Sequence, residues 1–174
     1  MRTARTERSA WDFAVDRLAR RAHTERELLA KMERAGFGAV EIAETLDRLR
    51  ARGYLDDLAL AHSFARAAVG RKAWGPARIA RALRARGVTE EGVEAALAEV
   101  FPAGEDETIT RALERFQRRR GRLADAREEK ARAYRHLRAR GFSAEAAGRA
   151  VHRPVSRMIS ERSNEENDHH DELS

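Results

Sequence analysis

Apolar residues along this chain recur at the three- and four-residue spacing of an amphipathic helix, and one stretch of that pattern is written three times. Residues 28–46 read LLAKMERAGFGAVEIAETL, residues 79–97 read IARALRARGVTEEGVEAAL, and residues 133–151 read AYRHLRARGFSAEAAGRAV. Each has an apolar residue four before a glycine (Met32, Leu83, Leu137), the glycine itself (Gly36, Gly87, Gly141), and an apolar anchor directly after it (Phe37, Val88, Phe142). Apolar positions return five and nine residues past the anchor, at Ile42 and Leu46, Val93 and Leu97, Ala147 and Val151. The pattern predicts a helix, a tight turn and a second helix, because glycine takes the left-handed conformation without a side-chain clash and the next residue folds back on the last turn. Such a pair cannot bury its own stripes, so the repetition predicts units packed beside one another.

The flanking sequence completes three units. Residues 1–10 are polar and read as a flexible lead-in. Unit one, residues 11–53, begins with a helix bearing Trp11, Ala14, Val15 and Leu18 and ending near Arg21. Thr24 and Glu27 then form a capping box for a helix over 25–34, and the next helix covers 40–51. The joint GYLDD at 53–57 opens unit two, residues 54–101, where Asp56 or Asp57 caps a helix carrying Leu60, Ala61, Phe64, Ala65 and Ala68. Gly70 to Pro76 is expected to break that helix, Pro76 to open the next, and Thr89 to cap the third. FPAGED at 101–106 is the clearest boundary. Unit three, residues 102–155, has a helix with Ile109, Leu113 and Phe116 that ends in arginines before Gly121. A second covers 127–140, and a third starts after Ser143 and reaches about Val151. Residues 156–174 lack apolar periodicity and read as an acidic disordered tail. The expected fold is all-α, an elongated array of three tandem three-helix units.

Charge adds a partner to this picture. The chain holds 35 Lys plus Arg against 29 Asp plus Glu, a formal +6. Six of the acids lie from Glu161 onward with a single base, so residues 1–160 carry 34 bases and 23 acids. An excess of that size attracts polyanions or an acidic protein surface. The bases are arranged on helices: Arg71 and Lys72, then Arg78, Arg81, Arg84 and Arg86, and in unit three Arg115, Arg118, Arg119, Arg120, Arg122, Arg127, Lys130, Arg135 and Arg138. Arginine forks fixed on helices match phosphate and carboxylate alike. These residues are the candidate contacts.

Most chemistry is excluded. There is no cysteine, hence no disulfide and no thiolate site. No GxxxxGK[ST], GxGxxG or HExxH occurs. His23, His62, His136 and His152 are isolated and read as surface or helix-end side chains. His169 and His170 with Asp168 and Asp171 sit in a tail that fixes no coordination geometry, so neither metal nor cofactor is expected. Nothing resembles an export signal or a membrane span, which makes the cytoplasm the expected location. A helix-turn-helix reader is disfavoured because the third helices of units one and two bear Glu41, Glu44 and Asp47, and Glu90, Glu91, Glu94 and Glu99. Non-specific DNA binding by an architectural protein stays open as the alternative.

The segments WDFAVDRLARRAHTERELLAKMERAGF, GYLDDLALAHSFARA, WGPARIARALRARGV and KARAYRHLRARGFSAE, in this order, resemble the RecX family, bacterial regulators of the RecA recombinase. The resemblance spans 11–151. It implies a curved array of three-helix units lying in the groove of the RecA filament on single-stranded DNA, limiting filament extension, ATP hydrolysis and strand exchange without catalysing a reaction. The expected partners are therefore the RecA filament and single-stranded DNA, with weak duplex binding, for a monomer without cofactor or metal. One departure is local: Leu58, Ala59 and Leu60 stand where the family has charged residues and then an aromatic.

Overall fold

The computed structural model describes residues 9–120 and 126–152, with the side chains of Arg119 and Arg120 outside the description. The expected lead-in over 1–10 is too long by two residues, since Ser9 caps the first helix and Ala10, its first residue, is buried; residues 1–8, the turn around Gly121 and the acidic tail lie outside the described residues. Among those described, the fold is all-α: α1 (Ala10–Arg20), α2 (Glu25–Ala35), α3 (Ala39–Ala51), α4 (Asp57–Lys72), α5 (Pro76–Arg86), α6 (Glu90–Val100), α7 (Asp106–Arg120), α8 (Ala126–Ala139) and α9 (Ala144–His152).

Local capping explains most of these limits. Thr24 and Glu27 form the reciprocal capping box at the head of α2. Asp56 accepts from the Ala59 N–H at 2.8 Å and closes the start of α4. Asp57 does something else: its carboxylate accepts from the Glu25 N–H at 2.9 Å, at the first residue of α2. Burial raises the Asp57 pKa, against the pull of that hydrogen bond and of Arg86. Thr89 and Ser143 accept from the Gly92 and Ala146 N–H groups and start α6 and α9. The break expected between Gly70 and Pro76 falls at residues 73–75: α4 runs through Gly70 to Lys72, and Pro76 opens α5. Arg115 donates to the Gly70 and Arg71 carbonyls at 3.0 and 2.9 Å, and Arg140 donates to that of Lys72. These bonds satisfy terminal carbonyls from other helices, and Ala73 turns the chain at φ 47°.

The chain forms two compact bodies. The first takes the described residues to Ala65 together with Ala80–Glu99, the second Arg66–Ile79 together with the described residues from Val100. In the first, Ala14, Leu28, Met32, Ile42, Leu46 and Leu49 form a core bordered by Trp11, Phe13, Leu18 and Phe37. In the second, Ile109, Leu113, Leu137, Phe142, Ala147 and Ala150 do so, joined by Ala73.

The three repeated turns share one geometry. Gly36, Gly87 and Gly141 have φ of 88°, 89° and 88°. The N–H groups of Phe37, Val88 and Phe142 reach back to the Met32, Leu83 and Leu137 carbonyls at 3.3, 3.2 and 3.2 Å. Their surroundings differ. In the second body the α8–α9 turn docks on the start of α5: the Gly75 N–H donates to the Arg140 carbonyl at 2.9 Å and the Ala77 N–H to that of Gly141 at 3.1 Å. A Cβ on Gly75 would stand 2.6 Å from the Gly141 backbone, and one on Gly141 2.4 Å from the Arg78 nitrogen. In the first body the α5–α6 turn meets the start of α2, where the buried Thr24 hydroxyl donates to the Arg86 carbonyl at 2.6 Å. Nothing lies within 4 Å of a Cβ on Gly36.

Around the first-body junction Glu27 gathers cations. Arg86 donates to both its oxygens at 2.9 and 3.1 Å, Arg21 at 3.2 Å, and His23 lies 3.2 Å away. Burial alone would raise the Glu27 pKa, but the bonds and charge of Arg86, then Arg21 and His23, outweigh it and hold the carboxyl at about 2. His23, expected at the surface or a helix end, precedes α2 and is buried; burial and Arg21 lower its pKa.

Three stability measurements follow from this packing, all by chemical denaturation. Gly36→Ala should cost about 1–2 kcal/mol, the left-handed penalty alone, whereas Gly141→Ala, at the same φ, should cost at least about 2 kcal/mol more because backbone must shift. Phe142→Ala, at a fully buried site, should cost about 3–5 kcal/mol. Phe37 is only half-buried, so its replacement by Ala should cost less than half as much. Glu27 is ionised in the folded protein well below its ordinary 4.5, so the unfolded chain takes up the proton first. Its contribution is full above about pH 5 and is lost as pH falls toward about 2. Wild-type stability should therefore decline more steeply across that window than that of Glu27→Gln.

Candidate nucleic-acid interface

Within the second body the end of α4, the start of α5, α7 and α8 enclose a cavity of about 540 Å³. Five cations line it, Arg71, Lys72, Arg78, Arg115 and Arg140, with Trp74, Phe116, His136 and Ala139. Among the described residues no carboxylate does. Trp74 organises one wall: the Lys72 ammonium lies 4.5 Å and the Arg78 guanidinium 4.3 Å from its ring centroid. The Phe116 and His136 rings meet on the other, centroids 4.6 Å apart and tilted by 37°, and Arg140 donates to His136 Nε2 at 2.8 Å.

The cations are stable together because helix ends hold them. Arg115 and Arg140 bind the last carbonyls of α4, and Arg78 donates to the Ala139 carbonyl at the end of α8 at 3.1 Å. A helix C-terminus carries about half a negative charge, enough to seat a guanidinium but not to neutralise it. The cavity thus keeps a positive field while its cations are fixed. It suits phosphate or carboxylate oxygens, and its aromatic walls suit the flat face of a base. Ala73, between Lys72 and Trp74, holds a left-handed conformation normally left to glycine, with its methyl fully buried. That turn sets the positions of both neighbours.

The other sequence candidates lie elsewhere. Arg84 is paired with Glu90, and each shifts the other further into its charged form through their hydrogen bonds. Arg86 is engaged with Glu27 and the Ala22 carbonyl. Both belong to the first body, as does the exposed Arg81. Arg138 donates to the Phe142 carbonyl at 2.6 Å, and Arg118 lies 4.0 Å from Glu114. Arg127, Lys130 and Arg135 are exposed on α8. The side chains of Arg119 and Arg120, and all of Arg122, fall outside the description, as do His169 and His170.

Charge counting along single helices missed Trp74, His136 and Arg140. The signal available was WGP, an aromatic set between Lys72 and Arg78 at a chain break; His136 looked isolated because its partners come from another helix and from the end of its own. Among the described residues no group of three or more His, Asp or Glu gathers as for a metal, and no helix is long and apolar enough to cross a membrane.

The class defined here is a tandem three-helix protein whose cationic cavity suits anionic groups. Residues 10–49 match the first three-helix domain of RecX and residues 56–97 the second. The chain is 40% identical over 130 residues, 75% of its length and 81% of the relative's, to a regulatory protein RecX of Thermus thermophilus. It is 37% identical over 135 residues, 77% of its own length and 81% of the relative's, to that of Halorhodospira halophila. A crystal structure of a regulatory protein RecX aligns with a TM-score of 0.66 at 25% identity, over 79% of this chain and 67% of that one. RecX from Lactobacillus salivarius shares the fold, with a TM-score of 0.72 at 20% identity over 82% and 92%. The chain belongs to the RecX family of regulatory proteins.

Proposed function

We propose that this RecX-family regulator of the RecA filament engages its target through the cationic cavity of the second body. The observation that carries the reading is the convergence of Arg71, Lys72, Arg78, Arg115 and Arg140 around Trp74, with no carboxylate among the described lining residues. Anionic oxygens, of DNA phosphate or of acidic RecA side chains, enter that field, and the filament is restrained in extension, ATP hydrolysis and strand exchange. The exposed Arg81, Lys130 and Arg135 add contacts outside the cavity. The protein acts as a cytoplasmic monomer whose units span 11–53, 54–101 and 102–155, the turns at Gly36, Gly87 and Gly141 setting the helix pairs.

The measurement is RecA's DNA-dependent ATP hydrolysis while the protein is titrated in. Wild type should inhibit below one molecule per RecA. Arg71→Glu/Lys72→Glu, exposed positions that leave the structural bonds of Arg115 and Arg140 in place, should need at least about tenfold more protein. Equal inhibition by this still-folded variant would sink the proposal. Binding to bare DNA that falls steeply with salt, with no effect on RecA at saturation, would instead support an architectural DNA-binding protein.

A further inference from the structure

The chain has two tryptophans, and each carries two cations against its indole. Trp74 belongs to the cavity described above. Trp11 belongs to the first body, where the Arg48 guanidinium lies 4.1 Å and that of Arg52 4.9 Å from its ring centroid. Tyr54 adds a second ring, its centroid 6.3 Å from that of Trp11 and tilted by 41°. Trp11 is half-buried on the edge of the core, while Arg48, Arg52 and Tyr54 are exposed, Tyr54 by 56%.

The charge state of this cluster sets it apart from ordinary surface arginines. Arg48 and Arg52 stand one turn apart at the C-terminal end of α3, where the helix dipole favours cations. Arg50, between them in sequence, is bound to Asp47 at 2.7 Å and Glu25 at 3.1 Å. Arg48 forms no ion pair with Glu44, one turn earlier, and among the described residues neither Arg48 nor Arg52 has a carboxylate within salt-bridge range. Their fixed partner is the indole. A guanidinium held against a ring loses less freedom on binding and keeps its N–H edge available.

We propose that Arg48, Trp11, Arg52 and Tyr54 form a second binding point, for single-stranded nucleic acid, on the first body. The two guanidinium edges grip successive phosphates, and the exposed Tyr54 ring receives an unstacked base. A duplex keeps its bases stacked inside and offers this ring nothing. The site shares with the cavity reading only the premise that the protein meets a single strand.

The test titrates the full chain, with both tryptophans intact, into fluorescein-labelled oligothymidylate over a range of salt and reads binding by anisotropy. Adding Arg48→Ala and Arg52→Ala should weaken binding about tenfold at low salt and flatten the log–log salt slope by about 1.4, at about 0.7 per phosphate contact. Tyr54→Leu should weaken binding several-fold with the slope unchanged, which guards against an arginine effect that is only structural. Unchanged affinity and slope in both variants, in protein that still binds, would falsify the proposal. If those variants bind normally while Arg71→Glu/Lys72→Glu does not, this site falls and the cavity reading stands; the reverse result keeps this site and removes the cavity. Competition by poly-glutamate as strong as that by unlabelled oligothymidylate would overturn the nucleic-acid assignment in favour of an acidic protein surface.

Discussion

The end of one helix set against the start of another is the contact on which this fold turns. A helix leaves unpaired carbonyls at its end and unpaired N–H groups at its start, with dipole ends of opposite sign. At the α8–α5 junction the Arg140 and Gly141 carbonyls take the N–H groups of Gly75 and Ala77, so both deficits close in one step. The approach requires glycine on both sides, since a Cβ on either would come within 2.6 Å of the other's backbone or neighbour. At the α5–α2 junction a threonine hydroxyl does part of the same work, and the glycine faces the Arg26 side chain instead of backbone. Helix α5 therefore carries one such contact at each end. The third turn, at Gly36, has the same dihedral angle and nothing against it. The repeat thus serves two purposes: it closes a helix pair wherever it occurs, and it docks on a helix start where one is supplied.

The same ends explain how a concentration of positive charge survives in the second body. Five cations around one cavity repel one another, and a matching set of carboxylates would remove the repulsion together with the field. Carbonyls at the ends of α4 and α8 hold Arg78, Arg115 and Arg140 by hydrogen bonds while neutralising them only in part. Glu27 in the first body is the opposite solution. There a full carboxylate takes two forked bonds from Arg86, its pKa drops to about 2, and the arginine is spent on structure. Arg78 and Arg86, both on α5, thus differ in role because one meets a helix end and the other an acid.

Helices and their caps were legible because they are local. Thr24 with Glu27, Thr89 and Ser143 announce helix starts from a few residues of sequence, and the family segments extend the reading to an all-α fold. What was not legible depended on distant partners. The break between Gly70 and Pro76 was legible, but not its position within that stretch, because the bonds on the last carbonyls of α4 come from Arg115 and Arg140, far along the chain. Asp57 looked interchangeable with Asp56, yet it serves α2 and leaves its neighbour to cap α4. His23 reads as polar and exposed until Glu27 and the first-body packing enclose it. The candidate site divides in the same way: the arginines on each helix can be counted, but which of them face Trp74 depends on how α4, α5, α7 and α8 close. Counting also weighted α8 and the arginine run of α7, and gave no place to Arg140 or to the aromatic rings.

A regulator of a filament has to hold its target and then let go. Long flexible cations bind phosphate with a large loss of rotamer freedom, and a single rigid patch strong enough to compensate would release slowly. Arginines fixed on aromatic rings and helix ends lower the entropy lost in each contact while leaving each contact modest. On the two proposals above, two such patches in one chain would raise the effective concentration of the second contact once the first has formed, while either one alone would dissociate readily. Small, aromatic-backed groups of cations are therefore suited to a protein that restrains a polymer and releases it.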